Sequence, residues 1–193
     1  MTHTQISEKL NKGIYVSRED GETRMQFQID GILEWSKNPK SGDKRKHLQV
    51  KKDTLNSSVC EIAIAKALGG HVNQQDFDYK NPHTYAWDVS VGGYQEDIYL
   101  EVKWMSLESD WYSFNEKLIT NVEERKQYYD YLVVATPIPN LTGWDVFPRF
   151  VINPKDFTRY VKSSKYDNYK PYYYNHHNAD CIVMNEEKVL QFK

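Results

Sequence analysis

A mixed α/β fold follows from three stretches of this chain. Residues 53–68 read as a helix that is apolar on nearly every side, through Val59, Cys60, Ile62, Ala63, Ile64, Ala65, Ala67 and Leu68. Such a helix belongs in the interior. Residues 85–91 and 98–104 alternate apolar and polar side chains, the pattern of half-buried strands. A helix over 115–128 and a short apolar strand over 131–136 follow. The strand–helix–strand order implies a crossover within a mixed central sheet flanked by helices.

Taken in order, residues 13–17 and 23–29 read as two strands around Arg18-Glu19-Asp20-Gly21, a hairpin turn. Residues 38–43 hold Pro39, Ser41 and Gly42 and read as a loop. Residues 1–52 thus form an N-terminal appendage, a hairpin followed by a basic loop. The helix over 53–68 stops at Gly69-Gly70, which can supply a left-handed cap. Gly92-Gly93 separates the two central strands. Past the core, 53–136, residues 144–152 read as a strand. Asn153-Pro154 suits the cap and first turn of a helix through 162. Residues 180–185 read as a last strand. The addition over 137–193 also holds a tyrosine-rich tail, and the whole of 1–193 is expected to form one domain.

A chain of 193 residues can bury a core without disulfides. Hydrophobic residues at 39% and charged residues at 27% exclude a disordered chain. No apolar run approaches the roughly 20 residues of a membrane span, and residues 1–10 lack the apolar stretch of a signal peptide. With only Cys60 and Cys181, neither a disulfide scaffold nor a cysteine zinc cluster is expected. These features predict a cytoplasmic protein without a membrane partner, and Cys60 as a small core residue. The net charge of −2 gives no global signature of nucleic-acid binding. Its distribution says more. Lys37, Lys40, Lys44, Arg45, Lys46, Lys51 and Lys52 face only Asp43 within 37–52, while 96–130 is mostly acidic. A basic segment beside an acidic centre fits a grip on phosphates around a cation. A solvated loop is the plainer reading.

Alternation in the first central strand puts Trp87, Val89 and Val91 on one face and Asp88 on the other, with Ala86 and Ser90. In the second, Leu100 and Val102 share one face, Glu101 and Lys103 the opposite one. If the strands are neighbours, one face gathers Asp88, Glu101 and Lys103. Two carboxylates and an ammonium suit a hard divalent cation acting on a phosphodiester. Mg²⁺ prefers oxygen ligands and keeps several waters, so one or two carboxylates suffice. An ammonium beside it can stabilise the charge of the transition state or orient the attacking water. The residues alone do not separate those two roles.

Trp87-Asp88, twelve intervening residues and Glu101-Val102-Lys103 resemble the signature of the PD-(D/E)XK nuclease superfamily. Upstream, Glu61-Ile62-Ala63-Ile64-Ala65-Lys66-Ala67-Leu68-Gly69 is similar to the first core helix of many members. The resemblance covers about residues 53–136, with Trp87 standing where many members carry proline. It implies a restriction-endonuclease-like core and a DNA endonuclease that leaves 5′-phosphate and 3′-hydroxyl ends. It implies Mg²⁺ as cofactor, with Mn²⁺ able to substitute. Asp88 and Glu101 would be the ligands, aided by the Val102 carbonyl, and Glu61 would reach the metal directly or through water. Lys103 would be the catalytic lysine, and Lys44, Arg45, Lys46, Lys51 and Lys52 the contacts to DNA. An exonuclease, a structure-specific nuclease and a non-catalytic nucleic-acid-binding protein are the alternatives. DNA and RNA are not separated, nor are restriction, phage attack on host DNA and repair.

Plainer readings stand beside these. Ser58 and Glu61 have the spacing of a capping box, in which Glu61 only satisfies a helix start. Glu101 and Lys103 also fit an ion pair on an exposed strand face, which contributes little. His176-His177 with Asp180 fits a solvated loop better than a second metal site, because adjacent strand residues point oppositely. The aromatic residues Trp111, Tyr112 and Phe114, and the tyrosines of 166–174, suit either a homodimer interface or packing within the chain, and the tyrosines, with Lys165 and Lys170, equally suit stacking on bases. A homodimer would set two sites on opposite strands of a duplex.

Overall fold

The structure, a computed structural model, describes residues 1–38, 45–75, 81, 86–92, 97–109, 111–115, 129–153 and 171–175, of which 111–115 and 171–175 are described by their backbone alone. The chain runs through α1 (His3–Lys9), β1 (Ile14–Ser17), α2 (Arg18–Lys37), α3 (His47–Leu68), β2 (His71–Val72), β3 (Val89–Val91) and β4 (Ile98–Trp104). It continues through β5 (Trp111–Asn115), β6 (Tyr131–Pro139), β7 (Gly143–Ile152) and β8 (Pro171–Asn175). Six strands form one sheet in the order β1-β7-β6-β4-β3-β2. β4 and β6 run parallel, and the other neighbours are antiparallel. The mixed sheet and the crossover between β4 and β6 agree with the sequence reading. The expected helix over 115–128 lies outside the described residues except for Asn115, which ends a strand.

Helix α3 is the inner scaffold. It starts at His47, earlier than the sequence suggested, because 47–52 holds no helix breaker and Val50 is buried there. It ends where Gly69 adopts φ 69°, a left-handed cap. Between those ends it touches all six strands of the sheet. Val59, Cys60, Ala63 and Ile64 of α3 pack in one core with Val16, Val89, Leu100, Val102, Val133 and Val146. Fully burying each branched side chain contributes about 1.5–3 kcal/mol. Four successive residues of β6, Leu132 to Ala135, are wholly buried. That explains its unbroken apolar run, since a strand covered on both faces has no polar side to show.

The N-terminal region departs from expectation. The hairpin predicted around residues 18–21, with its second strand over 23–29, is instead helix α2. The Ser17 side chain accepts a hydrogen bond from the Asp20 N–H at 3.1 Å, and Glu19 and Asp20 lie in the first turn, where the helix dipole favours acidic groups. Positions 21, 24, 25, 28 and 29 turn inward with helical spacing. They carry Gly21, Arg24, Met25, Gln28 and Ile29, so the inner stripe mixes a glycine and two polar residues with two apolar ones and shows no apolar period. The basic loop also changes character, because Lys51 and Lys52 lie in α3. β1 pairs with β7 in the main sheet and α2 packs on α3.

The remaining differences are smaller. Of the strand expected over 85–91, residues 89–91 form β3, residues 86–88 precede it outside the strand, and Tyr85 lies outside the described residues. β2, β5 and β8 were not foreseen. β5 and β8 pair antiparallel with Tyr112 opposite Tyr174 and Phe114 opposite Tyr172. The two aromatic segments weighed as interface candidates are therefore neighbours. The elements expected over 154–162 and 180–185 lie outside the described residues. No described helix is long and apolar enough to cross a membrane.

Gly21 is now a packing residue, not a turn residue. A Cβ there would come within 2.8 Å of Val59 and 2.9 Å of Trp144. In an exposed helix, replacing Gly by Ala stabilises by about 1 kcal/mol. Here overpacking wins, and Gly21→Ala should destabilise by about 1–3 kcal/mol in urea unfolding. A stabilised variant would show that α2 does not approach α3 this closely.

Candidate active site

Strand β4 lies inside the sheet between β3 and β6. Glu101 and Lys103 are two apart on it and share a face, as alternation requires. Asp88 reaches the same place by a different route from the one expected. The β3–β4 ladder runs to the pair Val89↔Leu100. One step further, the Asp88 N–H donates to the Leu100 carbonyl at 2.9 Å. The Asp88 carboxylate then accepts the Val102 N–H at 2.7 Å. The side chain takes over a ladder position, so its place is set by the backbone of β4. Asn73, just past β2, secures the segment from behind. Its N–H donates to the Asp88 carbonyl at 2.8 Å, and its side-chain amide donates to the Trp87 carbonyl at 2.9 Å. The Trp87 ring rests against Tyr99 with centroids 5.3 Å apart.

The Lys103 ammonium lies among three oxygens. It is ion-paired to Glu101 Oε1, sits 3.8 Å from Asp88 Oδ2 and 3.4 Å from the Val102 carbonyl. These are the groups that the sequence motif proposed as cation ligands. Exposure rises through the cluster, from 4% for the Glu101 side chain to 20% for Asp88 and 34% for Lys103. The alternative of an ion pair on an exposed strand face does not hold, since Glu101 is in the interior. Its second oxygen, Oε2, is buried and has no hydrogen-bond partner among the described residues. Buried polar atoms left so are uncommon and costly.

Glu61 is also buried, well inside α3, so it does not act as a helix-start residue. Arg24 of α2 donates to Glu61 Oε2 from Nε at 3.1 Å and from Nη2 at 2.9 Å. Gln28 Nε2 donates to the same oxygen at 3.3 Å, and Ser57 donates to Oε1 at 3.4 Å. Burial, then the Asp88 charge, push both the Glu61 and Glu101 carboxyls up to about 7. Arg24 and Lys103 restrain Glu61, and Lys103 restrains Glu101. Each carboxylate feels the same Asp88 charge, so Glu61, Asp88, Glu101 and Lys103 form one electrostatic unit. Among the described residues, no three His, Cys, Asp or Glu side chains enclose a cation by themselves. Mg²⁺ commonly needs only one or two, with waters completing its shell.

Arg24, Gln28 and Asn73 escaped the sequence reading. Arg24 and Gln28 are four apart, one helical turn, and the signal was there once 18–37 is taken as helix. Asn73 acts on backbone atoms and leaves no pattern. Of the basic residues, Lys44 lies outside the described residues. Arg45 pairs with Asp53 at 2.8 Å, Lys46 immediately precedes α3, and Lys51 and Lys52 are exposed on its N-terminal turns. From Lys52 to Glu61 the rise along the helix is about 14 Å, so one rigid element joins the basic end to the carboxylates. Cys60 is buried in the core, as expected, and burial pushes its thiol pKa well up. His176, His177 and Asp180 lie outside the described residues.

A family model described as Bacteriophage T4 endonuclease IV matches the chain over residues 3–176. That span runs from the start of α1 past the end of β8. A comparison with curated proteins finds no match.

The two carboxyls give a stability profile with a definite sign. Their ordinary value is 4.5 and their folded value about 7, so the folded chain holds protons that the unfolded chain has released. Stability from those protons is fully present below about 4.5 and is lost as pH rises through about 7. In chelator, the urea midpoint should therefore fall between about pH 5 and about pH 8, and Glu101→Gln should flatten the fall. A wild-type midpoint that rises over this window would show that these carboxylates are not held in the interior.

Proposed function

The chain belongs to the bacteriophage T4 endonuclease IV family, and from that premise we propose that it is a divalent-metal-dependent DNA endonuclease built on a PD-(D/E)XK active site. One observation carries this reading. Asp88, Glu101 and the Val102 carbonyl gather around Lys103, and a buried oxygen of Glu101 has no partner among the described residues. Hard oxygen donors with an unanswered buried carboxylate oxygen fit Mg²⁺ or Mn²⁺. Asp88 and Glu101 would hold the ion, with the Val102 carbonyl, and Glu61 would reach it directly or through water. A cation held there would supply polarisation of the scissile phosphate and a more acidic attacking water.

The remaining chemistry falls to the chain itself. Asp88 is fixed by the Val102 N–H, and Glu101 by its place inside the sheet. Both therefore keep their geometry without reorganising during the reaction. Lys103, the most exposed of the cluster, would meet the phosphate and the negative charge that grows on it. Attack by water with departure of the 3′ oxygen leaves 5′-phosphate and 3′-hydroxyl ends. Lys44, Arg45, Lys46, Lys51 and Lys52 would grip the backbone of the DNA on the side where α3 begins.

Nicking of supercoiled plasmid is the direct test. With Mg²⁺ the wild type should nick, and with chelator it should not. Asp88→Ala and Glu101→Ala should lose cleavage altogether, and Lys103→Ala should lose roughly 10²–10³-fold in turnover while retaining DNA binding. Cleavage that persists in chelator would sink the metal reading. Near-wild-type activity of Asp88→Ala or Glu101→Ala would sink the site.

The grip has its own measurement. Each lost phosphate contact removes about 0.9 from the slope of log affinity against log salt. Lys51→Ala with Lys52→Ala should therefore weaken binding and flatten that slope by about 2. An unchanged slope would make the N-terminal turns of α3 a bystander surface.

A further inference from the structure

Helix α2 enters the site through a polar network that the nuclease motif does not contain. Arg24 is only 7% exposed. Two of its guanidinium nitrogens and the Gln28 amide converge on a single oxygen, Glu61 Oε2. Gln28 is in turn oriented by Ser58, whose hydroxyl donates to Gln28 Oε1 at 3.1 Å. Among the described residues, the other Glu61 oxygen receives only the long 3.4 Å contact from Ser57. The carboxylate is thus clamped by one oxygen and left available at the other. Two adjacent guanidinium nitrogens meeting on one carboxylate oxygen fix the position of that oxygen more firmly than a flexible ammonium does.

We propose that Arg24 is a positioning residue of the active site, holding Glu61 by Oε2 so that Oε1 is presented to the divalent cation, with Gln28 and Ser58 as its support. The inference rests on the metal-site reading above and extends it to α2. Partners that orient a metal-binding carboxylate typically change metal affinity or activity by 10- to 100-fold when removed. The competing role is a structural tie between α2 and α3. A tie would affect stability but not the cation.

Mn²⁺ binding to the full chain, followed by electron paramagnetic resonance, separates the two. Melting temperature is measured in parallel, and variants are combined in a double-mutant cycle. Arg24→Met should raise the Mn²⁺ concentration for half-saturation by roughly 10-fold or more. On a Glu61→Met background the same substitution should leave Mn²⁺ affinity unchanged, because Arg24 acts through Glu61. The pair Arg24→Met with Glu61→Met should melt above Arg24→Met alone, having removed the unpaired buried carboxylate, yet it should not regain the affinity. Arg24→Lys keeps the charge without the fork and should bind Mn²⁺ more weakly than wild type; it serves if Arg24→Met does not fold. Wild-type Mn²⁺ affinity in folded Arg24→Met or Arg24→Lys overturns the assignment while leaving the metal site standing. An additive effect on the Glu61→Met background overturns it as well. A wild type that binds no Mn²⁺ overturns the metal site and the assignment together.

Discussion

Two carboxylates in the interior, Glu61 on α3 and Glu101 on β4, are the constraint that organises this structure. An ionised carboxylate taken out of water is expensive unless charge and hydrogen bonds answer it. Glu101 is answered by Lys103 from its own strand. Glu61 is answered from another element altogether, by Arg24 of α2. That requirement explains why an inner helix face carries an arginine and a glutamine where packing alone would call for apolar residues. It also explains the glycine at position 21. Without a Cβ there, α2 can approach Val59 of α3 closely enough for Arg24, less than one turn later, to span the gap.

The site is held by rigid parts. β4 is bonded on both sides, and α3 lies over every strand of the sheet. Between them the carboxylates have little freedom to rearrange. Asp88 is the exception in kind, since it stands on irregular backbone just before β3. Its position is recovered by hydrogen bonds to the Leu100 carbonyl, the Val102 N–H and Asn73. The Glu101 oxygen without a partner among the described residues and the upward shift of both buried carboxyls are the stability cost of this arrangement, and such costs collect at functional sites.

The sequence was most readable where burial is one-sided or complete. The run through α3, the alternation of 98–104 and the apolar stretch beginning at 131 translate directly into α3, β4 and β6, because apolar side chains there follow the period of the backbone. It was least readable in α2, whose inner positions include Gly21, Arg24 and Gln28. A buried polar residue carries no hydrophobic signal, so the segment looked like alternating strand around a turn. The strand expected over 85–91 was overdrawn for a related reason. Trp87 and Asp88 fit the alternation, but hydrogen bonds to Asn73 and β4 place them, and those bonds join residues far apart in the chain.

By itself the sequence determined an α/β fold with a buried helix against a mixed sheet, and it placed Glu101 and Lys103 on one face of one strand. Both follow from local periodicity, which depends only on neighbours along the chain. The tertiary structure decided the rest: that Asp88 joins them from outside a strand, that Glu101 is buried and not a surface ion pair, and that Glu61 is met by Arg24 and Gln28 across a helix interface. Those are relations between charges brought together from distant positions. Their energies depend on distance and burial in the folded chain, and neither quantity exists until the chain has folded.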